Sequence, residues 1–262
     1  MDLGLRGKRA IVTGGSRGIG RECALALARE DVQVCIAART QDVLNQVLAE
    51  LEQTGNKGHA VAVDLTTQAS CEQVVRETID RFGGVDILVN NVGAAQNADI
   101  LGLQPKLIDE ALSLKTYSYL RMSQLVIPYM RENRWGRIIN IAGSAGTSPT
   151  RGNIPTGAAN ITILNITRAL SDAVAEDGIL VNTVCPGLTN TGRARTQQRI
   201  RAEREGRDVE ELLKALGQEL PAGRIAEPEE IANVVTFLAS EACSYMFGSS
   251  LYMDGGKRRA TS

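Results

Sequence analysis

One stretch near the amino end constrains the fold more than any other. Residues 8–30 read KRAIVTGGSRGIGRECALALARE: a short apolar run, Ala10-Ile11-Val12, breaks into a glycine-rich turn and then into a helical pattern. Gly14, Gly18 and Gly20 punctuate the turn, and Ile19, Cys23, Leu27 and Ala28 follow at helical spacing. Glycines let a backbone approach a pyrophosphate closely, and the first turn of a helix offers unpaired N–H groups and the positive end of a dipole. The spacing is G-x-x-x-G-x-G rather than G-x-G-x-x-G. Tight turns use glycine for their own reasons, so the weight rests on context. A strand before the turn and a helix after it make this a dinucleotide-phosphate site.

The rest of the chain repeats the strand-and-helix alternation. Val32 to Ala37 reads as a strand and Asp42 to Gln53 as a helix with Val43, Val47, Leu48 and Leu51 on its apolar side. Ala60 to Val63 is a third strand, Thr66 to Arg81 a helix, and Val85 to Val89 a nearly continuous apolar strand of the kind buried on both faces. Pro105 to Arg131 reads as one long helix that Pro128 bends. Arg137 to Ala142, Ile179 to Cys185 and Ser250 to Met253 complete seven strands, with a long helix over Thr156 to Ala175 between the first two of these. Strands joined by helices imply an α/β fold: a doubly wound, seven-stranded parallel sheet flanked by helices. Ligands then bind beyond the carboxyl ends of the strands. The 262 residues show no break in composition, so residues 1–262 are read as a single domain.

Bulk properties exclude several classes. A net charge of −1 gives no basis for general nucleic-acid binding. No run approaches the ~18 apolar residues of a membrane span. The five cysteines, Cys23, Cys35, Cys71, Cys185 and Cys243, are odd in number and lack C-x-x-C spacing, so they read as reduced thiols in a cytoplasmic protein. A single histidine, His59, argues against a structural metal, and none is expected.

Four motifs together resemble the short-chain dehydrogenase/reductase superfamily: Thr13 to Gly20 (TGGSRGIG), Asn90-Asn91-Val92-Gly93, Pro186-Gly187, and Asp254-Gly255-Gly256. The resemblance extends over nearly the whole chain and implies a Rossmann-type fold, a nicotinamide dinucleotide and a small-molecule substrate. It assigns the loop residues Gly14, Ser16, Arg17, Gly18, Ile19 and Gly20 to the cofactor. It also assigns Asp64 and Leu65 at the end of the third strand to the adenine, and Asn90 and Gly93 to the floor of the cleft. Pro186, Gly187, Thr189 and Thr191 match the P-G-x-x-x-T segment that holds the nicotinamide carboxamide. The end of the second strand selects the nucleotide. It reads Ala37-Ala38-Arg39, with no carboxylate for a ribose 2′-hydroxyl and a guanidinium that suits a 2′-phosphate. With Arg17 in the loop as a second cation, NADP(H) is expected over NAD(H).

Reductases of that superfamily use an asparagine, a serine, a tyrosine and a lysine, because a carbonyl oxygen that gains charge must be stabilised and protonated. In the register set by the fifth strand, the serine position is Gly143, the tyrosine position Thr156 and the lysine position Asn160. The helical asparagine position falls on Ser113. All four members are therefore replaced, and no tyrosine lies between Tyr129 and Tyr245 to stand in. Ser144, Thr156 and Asn160 are the candidates for catalytic contact. The preferred reading is an oxidoreductase on a small carbonyl or alcohol by a non-standard proton path. The alternatives are a non-redox isomerase, lyase or cyclase in the same cleft, or a nucleotide-binding pseudoenzyme.

Residues 191–221 occupy the superfamily's substrate lid and carry Arg193, Arg195, Arg199, Arg201, Arg204 and Arg207. An anionic substrate would use some of these; the plainer reading is a solvated helix face with Glu203 and Arg207 paired. On the helix from Thr156, Ile163, Ile166, Leu170 and Val174 form one stripe, with Ile161 and Leu164 off it. The resemblance implies a homodimer or homotetramer that pairs through this helix, the Pro105 helix and the last strand.

Overall fold

The computed structural model describes residues 2–93, 96 and 98–259. Seven strands form one sheet in the order β3-β2-β1-β4-β5-β6-β7, and each neighbouring pair is parallel. They are β1 (Arg9–Thr13), β2 (Gln33–Ala38), β3 (His59–Ala62), β4 (Ile87–Asn90), β5 (Gly136–Ile141), β6 (Ile179–Pro186) and β7 (Ser250–Met253). The helices are α1 (Gly18–Arg29), α2 (Gln41–Glu52), α3 (Gln68–Phe82), α4 (Pro105–Ala111), α5 (Ser118–Glu132), α6 (Ile154–Val174), α7 (Gly192–Glu205), α8 (Val209–Gln218) and α9 (Pro228–Ala239). The chain works outward from β1 to β3, then returns to lay β4 on the other side of β1. That reversal opens a crevice at the carboxyl ends of β1 and β4, below the glycine turn.

The strict side-chain alternation of a strand builds two cores. Ala10 and Val12 of β1 face one way, with Val34, Ile36, Ile87 and Val89, and pack under α1 and α9. Ile11 faces the other way, with Cys35, Leu88 and Ile138, and packs with Val74, Met122 and Val126 of α3 and α5. At the amino ends, Arg9 of β1 holds Asp86 just before β4 by two bonds, Nε to Oδ2 at 2.7 Å and Nη2 to Oδ1 at 2.8 Å. All five cysteines are free and buried. His59 opens β3 and pairs with Glu77 at 3.0 Å. Among the described residues, no helix is long and apolar enough to cross a membrane, and no cluster of ligating side chains could hold a metal ion.

Three expectations need correcting. The long helix from Pro105 does run to Glu132, but its middle, Leu112–Tyr117, is π-helical. Wider turns rotate the side chains relative to an unbroken α-helix and shift which of them face the sheet. Carbonyls disturbed by those turns find a new donor: the Ser118 hydroxyl reaches Leu114 O at 2.7 Å and Lys115 O at 3.0 Å. Second, Arg207 does not pair with Glu203. Helix α7 stops at Glu205 with Gly206 in the left-handed region, which takes Arg207 off the helical face and onto Glu205 at 3.7 Å. Third, the buried stripe of α6 is not simply apolar. It runs through Asn160, Ile163, Thr167, Ser171 and Val174, whereas Ile166 and Leu170 are only part-buried.

The reason for the polar stripe lies in the sheet. Asn90 Nδ2 donates to Asn140 Oδ1 at 2.9 Å, Asn140 Nδ2 donates to Thr167 Oγ1 at 2.8 Å, and the Thr183 hydroxyl joins Thr167 at 2.8 Å. This chain of bonds ties β4, β5, β6 and α6 together inside the protein. Replacing Asn140 with leucine is expected to destabilise the fold by about 1–3 kcal/mol for each neighbouring group left unpaired. Urea melts check this; a midpoint equal to that of the parent would mean that the chain contributes nothing.

Candidate active site

The glycine turn is held from two sides. Gly14 N donates to Ala37 O at the end of β2 (2.8 Å), and Asn91 Nδ2 donates to both Thr13 O and Gly14 O at 3.2 Å. Thr13 Oγ1 accepts from Asn91 N at 3.0 Å and Val92 N at 3.3 Å. Gly20 packs so closely on the turn that a Cβ there would overlap the Gly14 carbonyl and the Asn91 amide. Gly18, at φ +54°, faces Thr191, whose Cγ2 would lie 3.1 Å from an added Cβ. Helix α1 begins immediately after, and the side chain of its N-cap residue, Arg17, makes no capping bond. The N–H groups of its first turn are left for a ligand.

These features fit a dinucleotide phosphate. Ser16 and Ile19 line the loop half-buried, while Arg17 and Arg39 extend exposed, with no hydrogen bond or ion pair among the described residues. Two guanidiniums with no partner among the described residues, beside an uncapped helix start, could hold an anion. Leu65 is buried and Asp64 is exposed at the end of β3, its Oδ1 accepting from Thr66 N at 3.1 Å. The side chain of Asn90, the residue expected at the cleft floor, is wholly buried on Asn140, with Ser123 Oγ at 3.5 Å. Successive residues at the end of β4 face opposite ways, so Asn91 rather than Asn90 braces the glycine turn.

The opposite wall is the end of β6. Pro186 closes that strand, and Gly187 packs against Asp254, whose Cα would sit 2.8 Å from an added Cβ. Thr189 is buried and donates to Gly187 O at 3.3 Å. Thr191 Oγ1 caps α7, accepting from Ala194 N at 3.1 Å, which leaves its O–H to donate elsewhere. Arg193, in the first turn of α7, crosses the cleft and donates from Nη1 to Gly93 O at 2.6 Å.

At the centre the structure brings together residues from four elements. Asn160 is buried in α6, one turn after the half-buried Thr156. Gly143 follows β5 with φ +98°, and a Cβ there would meet Asn160 Nδ2 at 2.9 Å. Ser144 starts a short 3₁₀ turn, Ser144–Gly146. Neither the Ser144 nor the Thr156 hydroxyl has a hydrogen bond among the described residues, so no base activates either. Among the described residues, no hydrogen bond joins Ser113 to Asn160. The side chain that does is Lys115, in the π-helical segment: its Nζ donates to Asn160 Oδ1 at 2.6 Å and to Ala142 O at 2.6 Å. Burial, reinforced by the positive charge of Arg193, pushes this ammonium down to about 7. Cys185 lies next to it, its thiol pushed up to about 11 by burial.

Sequence reading passed over Lys115 because Ser113 was taken as the matching position. A signal was present nonetheless. Ala111, Lys115, Tyr119, Met122 and Val126 recur at steps of three and four, so the lysine lies on a stripe whose other members are apolar and buried. A lysine placed there must be held by oxygens.

A serine at Gly143 would carry a side chain in the left-handed region and crowd Asn160. Gly143→Ser is expected to lower stability by about 1–3 kcal/mol, read as a drop in Tm. An unchanged Tm would mean that the loop relaxes freely.

A cavity of about 600 Å³ lined by Arg6, Lys8, Arg9, Asp86 and Trp135 opens at the amino ends of β1 and β4. It lies at the other end of the sheet from the glycine turn and takes no part in this site.

A family model described as enoyl-(acyl carrier protein) reductase matches residues 14–258. The chain is 34% identical over 254 residues to the 3-oxoacyl-(acyl-carrier-protein) reductase FabG of Vibrio cholerae, covering 97% of this chain and 98% of that one. It is 33% identical over 254 residues to the D-beta-hydroxybutyrate dehydrogenase of Cupriavidus necator, covering 96% and 98%. Among solved structures, L-sorbose reductase of Gluconobacter frateurii complexed with NADPH and L-sorbose matches with a TM-score of 0.95 at 32% identity, covering 99% of this chain and 100% of that one.

Proposed function

We propose a carbonyl-reductase function for this chain, which belongs to the short-chain dehydrogenase/reductase family. The reaction is the interconversion of a small carbonyl compound and its alcohol with NADP(H). The observation that carries the reading is the anion site at the start of α1: an uncapped helix N-terminus flanked by the unpartnered Arg17 and Arg39. The NADPH in the sorbose reductase complex supports it. Gly14, Ser16, Gly18, Ile19 and Gly20 take the pyrophosphate, and Arg39 with Arg17 takes the 2′-phosphate. Asp64 and Leu65 flank the adenine. Gly93, Pro186, Gly187, Thr189 and Thr191 line the nicotinamide end, and Asn160 contacts the nearby ribose. A bound reduced nicotinamide supplies the hydride.

Ser144 and Thr156 face the substrate oxygen. With threonine and asparagine at positions 156 and 160, proton delivery does not follow the family's tyrosine–lysine route. Residues 191–221 act as the substrate lid of a single domain; helices α7 and α8 make up most of it. Three of the six lid arginines pair with carboxylates: Arg195 with Glu210, and Arg201 and Arg207 with Glu205. An anionic substrate would meet Arg193 first, because it already reaches across the cleft to Gly93 O. Assembly as a homodimer or homotetramer is supported by Ile161 of α6, 46% exposed, Tyr117, 49% exposed, and the part-buried edge strand β7.

Calorimetric titration with NADPH and NADH, followed by NADPH oxidation on a panel of ketoses, small ketones and 3-oxoacyl thioesters, tests the reading. The expected result is tight NADPH binding, weak NADH binding and turnover on at least one carbonyl. Binding of neither nucleotide would overturn it, and binding without turnover on any carbonyl would favour a nucleotide-binding pseudoenzyme.

A further inference from the structure

The cleft holds few groups able to move a proton near neutral pH. Arg193 stays charged, since a guanidinium does not release its proton in proteins. The Tyr119 hydroxyl is buried, donates to Ile141 O at 3.0 Å, and burial holds its proton well above the ordinary tyrosine range. Cys185 is buried and its thiol is pushed up. Ser144 and Thr156 have no base beside them. Lys115 is the titratable side chain that reaches Asn160 at the centre of the site.

Its placement is built rather than incidental. The π-helical turns at Leu112–Tyr117 turn the side chain toward the ends of β5 and α6. Its stem passes over Gly93, where even a Cβ would come within 3.2 Å of Lys115 Cδ. Ala142 O and Asn160 Oδ1 take two of the three N–H bonds of the ammonium, and one is left for a ligand. Both acceptors are neutral oxygens rather than carboxylates, and the Tyr119 ring of α5 lies 5.9 Å from Nζ. Of the charged groups around it, Arg193 from α7 opposes that charge; Cys185 from β6 favours it only if ionised.

We propose that Lys115 is the proton donor and acceptor of this site, delivering from the π-helical segment the proton that a tyrosine on α6 would otherwise supply. The inference rests on the carbonyl-reductase reading and deepens it. As hydride from the reduced nicotinamide reaches the carbonyl carbon, the C=O π pair moves onto oxygen. An O–H bond forms there as an Nζ–H bond of Lys115 breaks, leaving a neutral amine that regains its proton from solvent. In the alcohol-oxidising direction the neutral amine takes the hydroxyl proton. Asn160 is a positioning residue, holding Nζ in place through its amide oxygen.

The test begins without cofactor. Lysine Cε carbons are followed by NMR across pH, with Lys115→Arg identifying the resonance. A midpoint near 7 is expected; one at the ordinary lysine value of about 10.4 overturns the proposal. Lys115→Met is expected to bind NADPH as the parent does yet lose about 10²–10⁴-fold in kcat. In the parent, carbonyl reduction should fall and alcohol oxidation should rise with pH through the same midpoint, because one needs the ammonium and the other the amine. Asn160→Asp places a carboxylate on Nζ and should move that midpoint up, a shift that a purely structural lysine would not give. Unchanged kcat in Lys115→Met, or a midpoint indifferent to Asn160→Asp, overturns the proposal while leaving the reductase reading standing. Failure of the parent to bind NADPH overturns both.

Discussion

Gly20→Ala should abolish tight NADPH binding and lower stability together. Gly20 lies in the first turn of α1, buried against the preceding loop. The added methyl would overlap the Gly14 carbonyl oxygen and the Asn91 amide nitrogen. Neither can give cheaply. The Gly14 carbonyl belongs to a turn whose own N–H is bonded to Ala37 O, and the Asn91 amide is the brace that holds Thr13 O and Gly14 O. Relief requires the loop to lift away from α1, which separates the phosphate cradle from the helix terminus that gives it charge. Overpacking of this kind costs about 1–3 kcal/mol. The binding loss should be larger than the stability loss implies, because the displaced atoms are those that a pyrophosphate approaches. Thermal unfolding and NADPH titration of the same sample measure the two effects. A variant with parental Tm and parental affinity would show that the loop does not depend on this contact. As a control, Gly7→Ala, at a glycine with open space around it and φ +77°, should cost stability through its backbone alone and leave NADPH affinity unchanged.

Much of this architecture was legible because local and global signals agree. Runs such as residues 85–89 are apolar on both faces, which only a central parallel strand requires, and the glycine turn identifies which strand comes first. What escaped was fine geometry. A π-helical turn uses the same residues as an α-helical one, so the composition of residues 112–117 gives no warning of it. Yet those turns help to set which side chain of the helix meets Asn160. At the end of β4 neighbouring residues face opposite ways, so Asn90 bonds to Asn140 inside the protein while Asn91 braces the glycine turn, a division that the sequence alone does not reveal. The polar chain Asn90–Asn140–Thr167–Thr183 was equally hidden, since its members lie far apart in sequence and acquire partners only through folding. Positions 156 and 160 hold threonine and asparagine. The apolar stripe singles out Lys115, but its partner, Asn160 on the facing helix, becomes visible only once both helices are in place.

The nucleotide preference makes the second large prediction. Arg17→Ala with Arg39→Ala should weaken NADPH binding by about 10²-fold or more, since each charge-assisted bond lost is worth about 1.5–3 kcal/mol, and should leave NADH binding nearly unchanged. The argument turns on what these arginines do in the protein alone. Neither has an ion-pair or hydrogen-bond partner among the described residues, so removing them breaks nothing within the fold. Arg21, by contrast, sits in the same helix start but is engaged with Glu22 and Glu50, and is unavailable to a phosphate. At the end of β2 the residue that would repel a 2′-phosphate is absent, its place taken by Ala38. Adding it should therefore reverse the preference: Ala38→Asp in the double variant gives NADH a hydroxyl acceptor and NADPH a repulsion. Affinity for NADPH should also fall with rising salt in the parent more steeply than in the double variant, because two exposed charges are screened. Equal losses for NADPH and NADH would mean that the arginines act on the pyrophosphate common to both, and the selectivity would then have to come from elsewhere on the β2–α2 loop.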